Sequence, residues 1–238
     1  MTAGLAPIYA CIDDTDMPGT RGTNRLAIAI VRSLIGHWRC RSITKHPHLR
    51  HADIPYTHGN NSCCMIFEPG PGQQAEELIA ILRREMLADF IEGSDPGLCV
   101  TSAVPREVMD WAERSRREVL TMEEARAIAA RHGIHLEGLG GTNQGIIGAL
   151  AGLGSAATGQ PGQYLMLDQR ELDFGGLLQP EALADLGITR FVDAHSDEVL
   201  APAPLEVPKK LRPTMRGGAP LVYVERQPPG AYRLVRRD

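Results

Sequence analysis

Hydrophobic positions divide the start of the chain into a strand, a loop and a helix. The apolar run 8–12 is typical of a buried strand, and it leads directly into the acidic segment 13–16. After a loop that contains Gly and Pro, hydrophobic residues recur at helical spacing, at Leu26, Ile30, Val31, Leu34 and Ile35. Thr23, at the start of this helix, is a favoured N-cap residue. The pattern predicts that a strand delivers carboxylates to the N-terminus of a helix.

Strands and helices alternate along the rest of the chain. Apolar runs predict further strands at 62–67, from 98, at 164–167 and at 221–224. Helical spacing predicts helices after Gly72, near Pro105 and after the capping box at 121–124. The segment 138–154 holds seven glycines, which allow either close helix packing or close approach of the backbone to a ligand. The order of elements predicts a mixed fold, α+β or α/β.

The composition is that of an ordinary globular protein, with 43% hydrophobic and 23% charged residues among 238. A formal net charge of -4 does not indicate a nucleic-acid-binding protein, which usually carries a basic excess. Five cysteines without CxxC spacing argue against a disulfide framework and a zinc ribbon. The start of the chain lacks the pattern of a signal peptide, and no run approaches the ~20 apolar residues of a membrane span. We therefore expect a cytoplasmic protein that does not associate with membranes.

The acidic segment Asp13-Asp14-Thr15-Asp16 is the sharpest chemical feature. Three carboxylates at the end of a buried strand repel one another, and burying them is costly unless a cation lies among them. Mg²⁺ binds one or two carboxylates together with substrate phosphates. An acidic turn that only caps backbone amides is an equally good interpretation from these residues alone.

Thr23 also has two interpretations. Threonine at a helix start is most often a cap. The same position presents free N–H groups and a positive dipole end, which attract phosphate. Gly19, Thr20, Gly22 and Asn24 would line such an anion site. An acidic metal site beside an anion site together favours phosphoryl transfer.

Other reactive residue types indicate structure rather than chemistry. His46, His48 and His51 match no standard ligand spacing and are predicted to be solvated loop residues. The pair Cys63-Cys64 is typical of a buried core. No P-loop pattern is present, and no GxGxxG pattern follows a strand, so the common nucleotide-binding folds are not indicated.

Several segments resemble, in order along the chain, the archaeal isoleucine-tRNA agmatidine synthetase (2-agmatinylcytidine synthetase) family. The opening segment 13–16, with Thr23 seven residues beyond Asp16, resembles the family's IDDTDS motif and the threonine segment that follows it. Segment 54–60, IPYTHGN, is similar to the family's IPWKTRGN. The turn 95–97 is similar to its NPG turn, and segment 143–150, NQGIIGAL, to its GRGIIGALA.

The resemblance implies an ATP- and Mg²⁺-dependent ligase with a kinase-like catalytic domain and an inserted ferredoxin-like domain. On the predicted elements, the kinase-like domain covers 1–68 and about 131–238, and the insertion about 69–130. It implies catalytic roles for Asp13, Asp14, Asp16 and Thr23, with the three aspartates also as metal ligands. It implies cofactor-binding roles for Thr15, Gly22, Asn24, His58, Gly59 and Asn60. It implies substrate-binding roles for Asp95, Gly145 and Gly148. In the family, ATP phosphorylates O2 of a tRNA cytidine, and the amine agmatine then displaces it.

The chain departs from the family in ways that bear on its acceptor. Only Thr23 remains of two adjacent threonines, and His58 stands where the family has arginine. The OB-fold and zinc ribbon that help the family to bind tRNA have no counterpart in this sequence. We therefore expect weak tRNA binding, and two further hypotheses stay open. One is a stand-alone kinase or ligase for a small amide-like or nucleobase substrate, and the other is a non-catalytic nucleotide-binding regulatory protein.

Overall fold

A computed structural model describes residues 5–57, 59–159 and 161–237. The helices are α1 (Thr23–Leu34), α2 (Ala75–Ala88), α3 (Arg106–Arg114), α4 (Met122–His132), α5 (Gly145–Thr158) and α6 (Pro180–Ala184). The strands of the first half are β1 (Ile8–Asp13), β2 (Arg39–Pro47), β3 (Asn61–Glu68), β4 (Gly97–Thr101) and β5 (His135–Gly138). Those of the second half are β6 (Gly162–Leu167), β7 (Arg170–Glu171), β8 (Gly176–Leu178), β9 (Arg190–Asp193), β10 (Val199–Leu200), β11 (Leu205–Val207), β12 (Thr214–Arg216), β13 (Ala219–Gln227) and β14 (Ala231–Leu234).

Within these residues the fourteen strands form one mixed sheet, whose main order is β5-β4-β1-β3-β2-β6-β12-β13-β14-β11-β8. Strand β1 is central in the first half, because it pairs antiparallel with both β3 and β4. The pairs β9–β13 and β11–β14 are parallel. The prediction of a mixed α and β fold is therefore confirmed.

Helices cover both faces of the first half of the sheet, because β1 and β3 are apolar on both sides. One face packs on α1 and α2 through Ile12, Leu26, Met65 and Leu82, among others. The opposite face packs on α3, α4 and α5, with Cys11, Cys64 and Trp111 in that core. All five cysteines are buried and unpaired, in agreement with the prediction that they form no disulfide framework.

The segment 69–130 contributes its strand to the main sheet. This strand, β4, lies between β1 and β5, with Cys99 opposite Cys11. The apolar run from Leu98 is buried on both faces because it completes the central sheet. An inserted ferredoxin-like domain at 69–130 would be expected to carry separate strands, and the pairing of β4 differs from that expectation. The division into a kinase-like part and an insertion stays a prediction.

A further core lies in the second half of the chain. It joins residues from 164 to 234, among them Tyr164, Phe191 and Leu205. The sheet continues into this half through β6, which pairs with both β2 and β12. Among the described residues, no helix has the length and apolar character needed to cross a membrane.

Candidate active site

A cavity of about 310 Å³ opens where β1 ends at Asp13. Its walls come from the loop after β1, the start of α1, the segments 53–57 and 59–61, the segment 115–122 and the start of α5. Its acidic lining residues are Asp13, Asp14, Asp16, Asp53 and Glu118, and no Lys or Arg of the described chain lines it. Apolar side chains also line it, at Ile54, Pro55, Tyr56, Val119, Leu120, Met122 and Ile147. The cavity thus combines a cluster of carboxylates with an apolar surface.

Asp13 points from β1 towards α5, where Gly148 leaves room for it. A Cβ at Gly148 would overlap Oδ2 of Asp13, so only glycine fits there without displacing the carboxylate. Asp13 is 8% exposed. Burial raises the pKa of Asp13 well above its usual range, and the nearby charge of Asp14 adds to the rise. The glycine-rich start of α5 therefore supports a buried acid.

Asp14 continues the chain into the cavity with a φ of 50°, in the left-handed region that few non-glycine residues adopt. Its backbone carbonyl accepts a hydrogen bond from the N–H of Asp95 at 3.1 Å. Burial raises the pKa of Asp14 to about 6, with further contributions from the charges of Asp95 and Asp16. The carboxylate is therefore costly to ionise in the absence of a cation.

Asp16 and Thr23 are joined in a chain of hydrogen bonds. The Thr23 hydroxyl donates to Oδ1 of Asp16 at 3.0 Å, and it accepts from the Thr15 hydroxyl at 3.1 Å. Thr57 donates to Oδ2 of Asp16 at 3.0 Å. Both oxygens of Asp16 are thus oriented by hydroxyl donors, and Asp16 and Thr23 both line the cavity.

Thr23 is the first residue of α1 rather than its N-cap. The cap position is Gly22, which has a φ of 80° and caps the helix with no side-chain hydrogen bond. The predicted capping role of Thr23 is wrong, because Thr23 lies inside the helix and its hydroxyl donates to Asp16. No described side chain therefore caps the start of α1.

The other residues predicted to bind a cofactor occupy three different positions. Gly59 and Asn60 line the cavity. Thr15 and Asn24 lie behind its wall, where Asn24 accepts a hydrogen bond from the Cys63 thiol at 2.9 Å. Gly22 is the N-cap of α1 and is not among the residues that line the cavity. His58 lies outside the described residues.

Among the residues predicted to bind substrate, Gly145 and Gly148 line the cavity and Asp95 stands beside it. The Asp95 carboxylate accepts hydrogen bonds from the backbone N–H groups of Thr142 and Asn143, the latter at 3.1 Å. Its backbone carbonyl accepts from Gly145 at 3.1 Å. Asp95 therefore stabilises the turn that precedes α5. Its charge also helps to raise the pKa of Asp14, which lines the cavity.

The sequence interpretation missed His48, which lines the cavity. His46 and His48 are buried rather than solvated, at 0% and 9% exposure. His48 Nε2 lies 2.8 Å from Ser62 Oγ and its Nδ1 lies 3.3 Å from Ser115 Oγ. Because Ser115 donates to a backbone carbonyl, Nδ1 carries the proton and Nε2 accepts from Ser62. Burial lowers the pKa of His48 to about 3, so the ring is neutral and joins the strands to α3.

Among the described residues, no group of three or more His, Cys, Asp or Glu side chains converges to hold a metal ion. A preformed site built from Asp13, Asp14 and Asp16 together is therefore not present. The lining nevertheless suits a cation, because its charged residues are all acidic and the pKa values of two of them are raised. This arrangement fits Mg²⁺ held by one or two carboxylates and by phosphate oxygens of a ligand.

No protein-family model and no curated protein sequence matches the chain. Solved structures match over 87% of the chain. It is similar to apo TiaS, described as an agmatidine synthetase for an isoleucine tRNA, with a TM-score of 0.54, 20% identity and 51% of that chain covered. It is similar to TiaS in its complex with that tRNA and ATP, with a TM-score of 0.55, 20% identity and 52% covered.

The complex of TiaS with the same tRNA, AMPCPP and agmatine gives a TM-score of 0.56 at 18% identity, with 53% of that chain and 87% of this chain covered. The chain thus spans about half the length of the TiaS structures that it matches. Identities this low establish similarity of fold. The resemblance drawn from the sequence motifs is confirmed at that level: the chain has the fold of about half of TiaS.

Proposed function

We propose that the chain is an ATP- and Mg²⁺-dependent enzyme that phosphorylates a carbonyl oxygen and lets an amine displace it, with a cytosine-type carbonyl as acceptor and agmatine as the amine. One observation carries the proposal: Asp14, Asp16 and the Thr23 hydroxyl at the open start of α1 line a single cavity. The fold supports the same interpretation, because TiaS structures of similar fold are complexes with tRNA, with ATP or AMPCPP, and with agmatine.

The charge of the cavity supports a requirement for a divalent cation. ATP is a polyanion, and five carboxylates line the cavity without a lysine or arginine among its described lining. The carboxylates would repel the phosphates of ATP strongly in this partly buried site. Asp14 and Asp16 would hold Mg²⁺ together with the phosphates, and the ion would neutralise charge that develops on them during transfer.

The start of α1 is the proposed position of the terminal phosphate. Its N–H groups and dipole favour a negative group, and Gly22 keeps the cap free of a competing side chain. The Thr23 hydroxyl lies at this end, already donating to Asp16 at 3.0 Å. With a proton acceptor beside it, Thr23 is also a candidate to receive the phosphoryl group itself.

The proposed reaction has two balanced steps. In the first, the γ-phosphoryl group passes from ATP to the carbonyl oxygen, and ADP leaves. In the second, the amine nitrogen bonds to the carbonyl carbon, the carbon–oxygen bond breaks, and phosphate departs with that oxygen while the amine loses a proton. The apolar surface formed by Tyr56, Val119 and Ile147 offers a face against which a planar base packs.

A stand-alone enzyme acting on a small acceptor is a second candidate, favoured by the volume of the cavity. About 310 Å³ is at the lower end of the range for small-molecule sites. Such a protein would use the same phosphoryl chemistry on a free amide or nucleobase. A regulatory protein that binds nucleotide without turnover is a third hypothesis, and turnover distinguishes it.

The test is to incubate the protein with ATP, Mg²⁺ and agmatine, with and without a tRNA that carries a CAU anticodon. The proposal expects ADP and phosphate as products and agmatine joined to the tRNA. ADP formation that depends on a free nucleobase rather than tRNA would select the second candidate. Release of AMP, or nucleotide binding with no turnover under any of these conditions, would contradict phosphoryl transfer to a carbonyl. The Asp110→Asn variant, altered on the exposed face of α3, is the control for nonspecific loss.

A further inference from the structure

A group of positive side chains includes Arg50, which lies over the ring of Tyr56 in the lining of the acidic cavity. The group consists of Lys45 and of three arginines whose positive charges act on Lys45, namely Arg50, Arg212 and Arg236, and we call it the cationic cluster. Lys45 is half-buried in β2, opposite Gln163 of β6. Gln163 in turn pairs with Thr214, two residues after Arg212. The sheet therefore brings residues from distant parts of the chain to one place.

The cationic cluster adjoins the cavity at Arg50. The Arg50 guanidinium lies 6.0 Å from the ring centroid of Tyr56. A Cβ added at Gly59 would lie 2.9 Å from Nη2 of Arg50. Tyr56 and Gly59 both line the cavity. Lys45 does not line the cavity; it lies opposite Cys63 in β3, whose thiol donates to Asn24 in the first turn of α1.

The positive charges of the cluster are poorly neutralised. Among the described residues, Lys45, Arg50 and Arg236 have no carboxylate partner, whereas Arg212 pairs with Asp173 at 2.6 Å. Burial lowers the pKa of the Lys45 ammonium, the neighbouring Cys63 opposes that shift, and the three arginines of the cluster lower the pKa further. Holding an unpaired cation in a half-buried position near other cations costs free energy, which a bound anion would recover.

We propose that the cationic cluster is a phosphate-binding site for a ligand whose other end enters the acidic cavity. Two sources carry the required chemistry, the polyphosphate of a nucleotide and the phosphodiester backbone of an RNA. The inference deepens the proposed function, and it rests on that function for the nucleotide source only. In this proposal the acidic cavity binds cations and metal-bound groups, and the cationic cluster binds phosphates that hold no metal.

Two variants test the site, each with a matched control. Lys45→Met and Arg236→Gln each remove one positive charge from the cluster. Lys209→Met and Arg126→Gln remove the same charge types from exposed positions elsewhere. Lys45→Met is expected to unfold at the same or a higher temperature than the wild type, because it removes a half-buried cation without a partner. Arg236 follows the last strand, so its replacement leaves the sheet intact.

Binding is measured by calorimetry for ATP with Mg²⁺ and by fluorescence anisotropy for a labelled tRNA at several salt concentrations. We expect each cluster variant to weaken binding of at least one ligand about tenfold or more. If RNA is the source, each variant also reduces the salt dependence by about one phosphate contact. Loss confined to ATP identifies the nucleotide, loss confined to tRNA identifies the RNA backbone, and loss of both indicates that both use the cluster.

Two outcomes would overturn the inference. One is a wild-type protein that binds neither ligand, and the other is a pair of cluster variants that bind both ligands as tightly as the controls. The proposed function fails separately. A wild type that binds tRNA through the cluster but never binds ATP keeps the inference and removes the function. Normal ATP turnover and normal tRNA binding in both cluster variants would remove the inference and keep the proposed function.

Discussion

Replacing Asp14 with asparagine should make the metal-free protein more stable while it removes function. Asparagine has the same shape but no charge, and the Asp14 carboxylate lies partly buried near Asp95 and Asp16. The pKa of Asp14 is raised from 3.8 to about 6. One pKa unit corresponds to about 1.4 kcal/mol, so ionising this group costs the folded state at most about 3 kcal/mol. Because water still reaches part of the carboxylate, we expect about 1–2 kcal/mol.

The sign of this effect follows from proton linkage. The folded-state pKa lies above the unfolded value, so the wild type loses stability as the pH rises from about 4 through 6. Above that window Asp14→Asn carries no such penalty. Its free energy of unfolding should exceed that of the wild type at pH 8 and approach it at pH 4. Loss of the Asp14 charge also relieves Asp13, whose raised pKa it helps to cause.

The assay is urea unfolding of both proteins at pH 4 and pH 8, with EDTA present. Asp110→Asn is the control, since Asp110 is exposed and pairs with Arg106 at 2.8 Å, and it should change stability by less than about 0.5 kcal/mol. Added Mg²⁺ and ATP should then stabilise the wild type and leave Asp14→Asn unchanged. A variant that is less stable than the wild type at pH 8 would refute this prediction, because it would show that the carboxylate stabilises the metal-free fold.

Three further predictions concern the same cavity. Thr23→Val should abolish phosphorylation of the protein by ATP, seen by peptide mass spectrometry, whereas Thr23→Ser keeps it; full activity in the valine variant would leave Thr23 a structural role only. Gly148→Ala should displace Asp13, and we expect it to lower the free energy of unfolding by about 1–3 kcal/mol and to reduce ATP turnover. Unchanged turnover would show that Asp13 takes no part in the reaction. At about 150 mM salt, near physiological ionic strength, the chain alone should bind a tRNA with a CAU anticodon weakly, because the net charge is -4; submicromolar binding by anisotropy would contradict this.

Apolar runs predicted the central strands well, because burial on both faces leaves a continuous hydrophobic sequence. The run 8–12 became β1, and 62–67 became most of β3. Amphipathic spacing likewise predicted α1, and the cap at Thr121 is confirmed by its hydrogen bond from the Glu124 N–H. These features depend on local sequence, which is why they could be predicted.

Strand β2 was missed because polar residues occupy several of its buried positions, although Cys40 and Ile43 are apolar. Thr44 and His46 are fully buried there and bond to each other at 2.8 Å. Polar side chains satisfied by tertiary hydrogen bonds give no apolar pattern. The same reason hides His48, whose partners Ser62 and Ser115 lie far away in sequence.

The glycine-rich segment shows the opposite limit. Glycine disfavours helix formation, yet 145–158 forms α5 because the sheet and α3 approach it closely. The acidic loop and Thr23 could be selected from sequence, but their hydrogen-bonded arrangement could not. Thr57 supplies a donor to Asp16 from 41 residues away, and the sequence offers no spacing rule for that contact.

The central claim is that the carboxylates and the start of α1 bind ATP through a divalent cation, and calorimetry tests it most directly. ATP is titrated into the wild type with Mg²⁺ and again with EDTA, and then into Asp14→Asn with Mg²⁺. We predict binding in the first titration alone. Binding that is equally tight with EDTA, or in the Asp14→Asn variant, would contradict the claim.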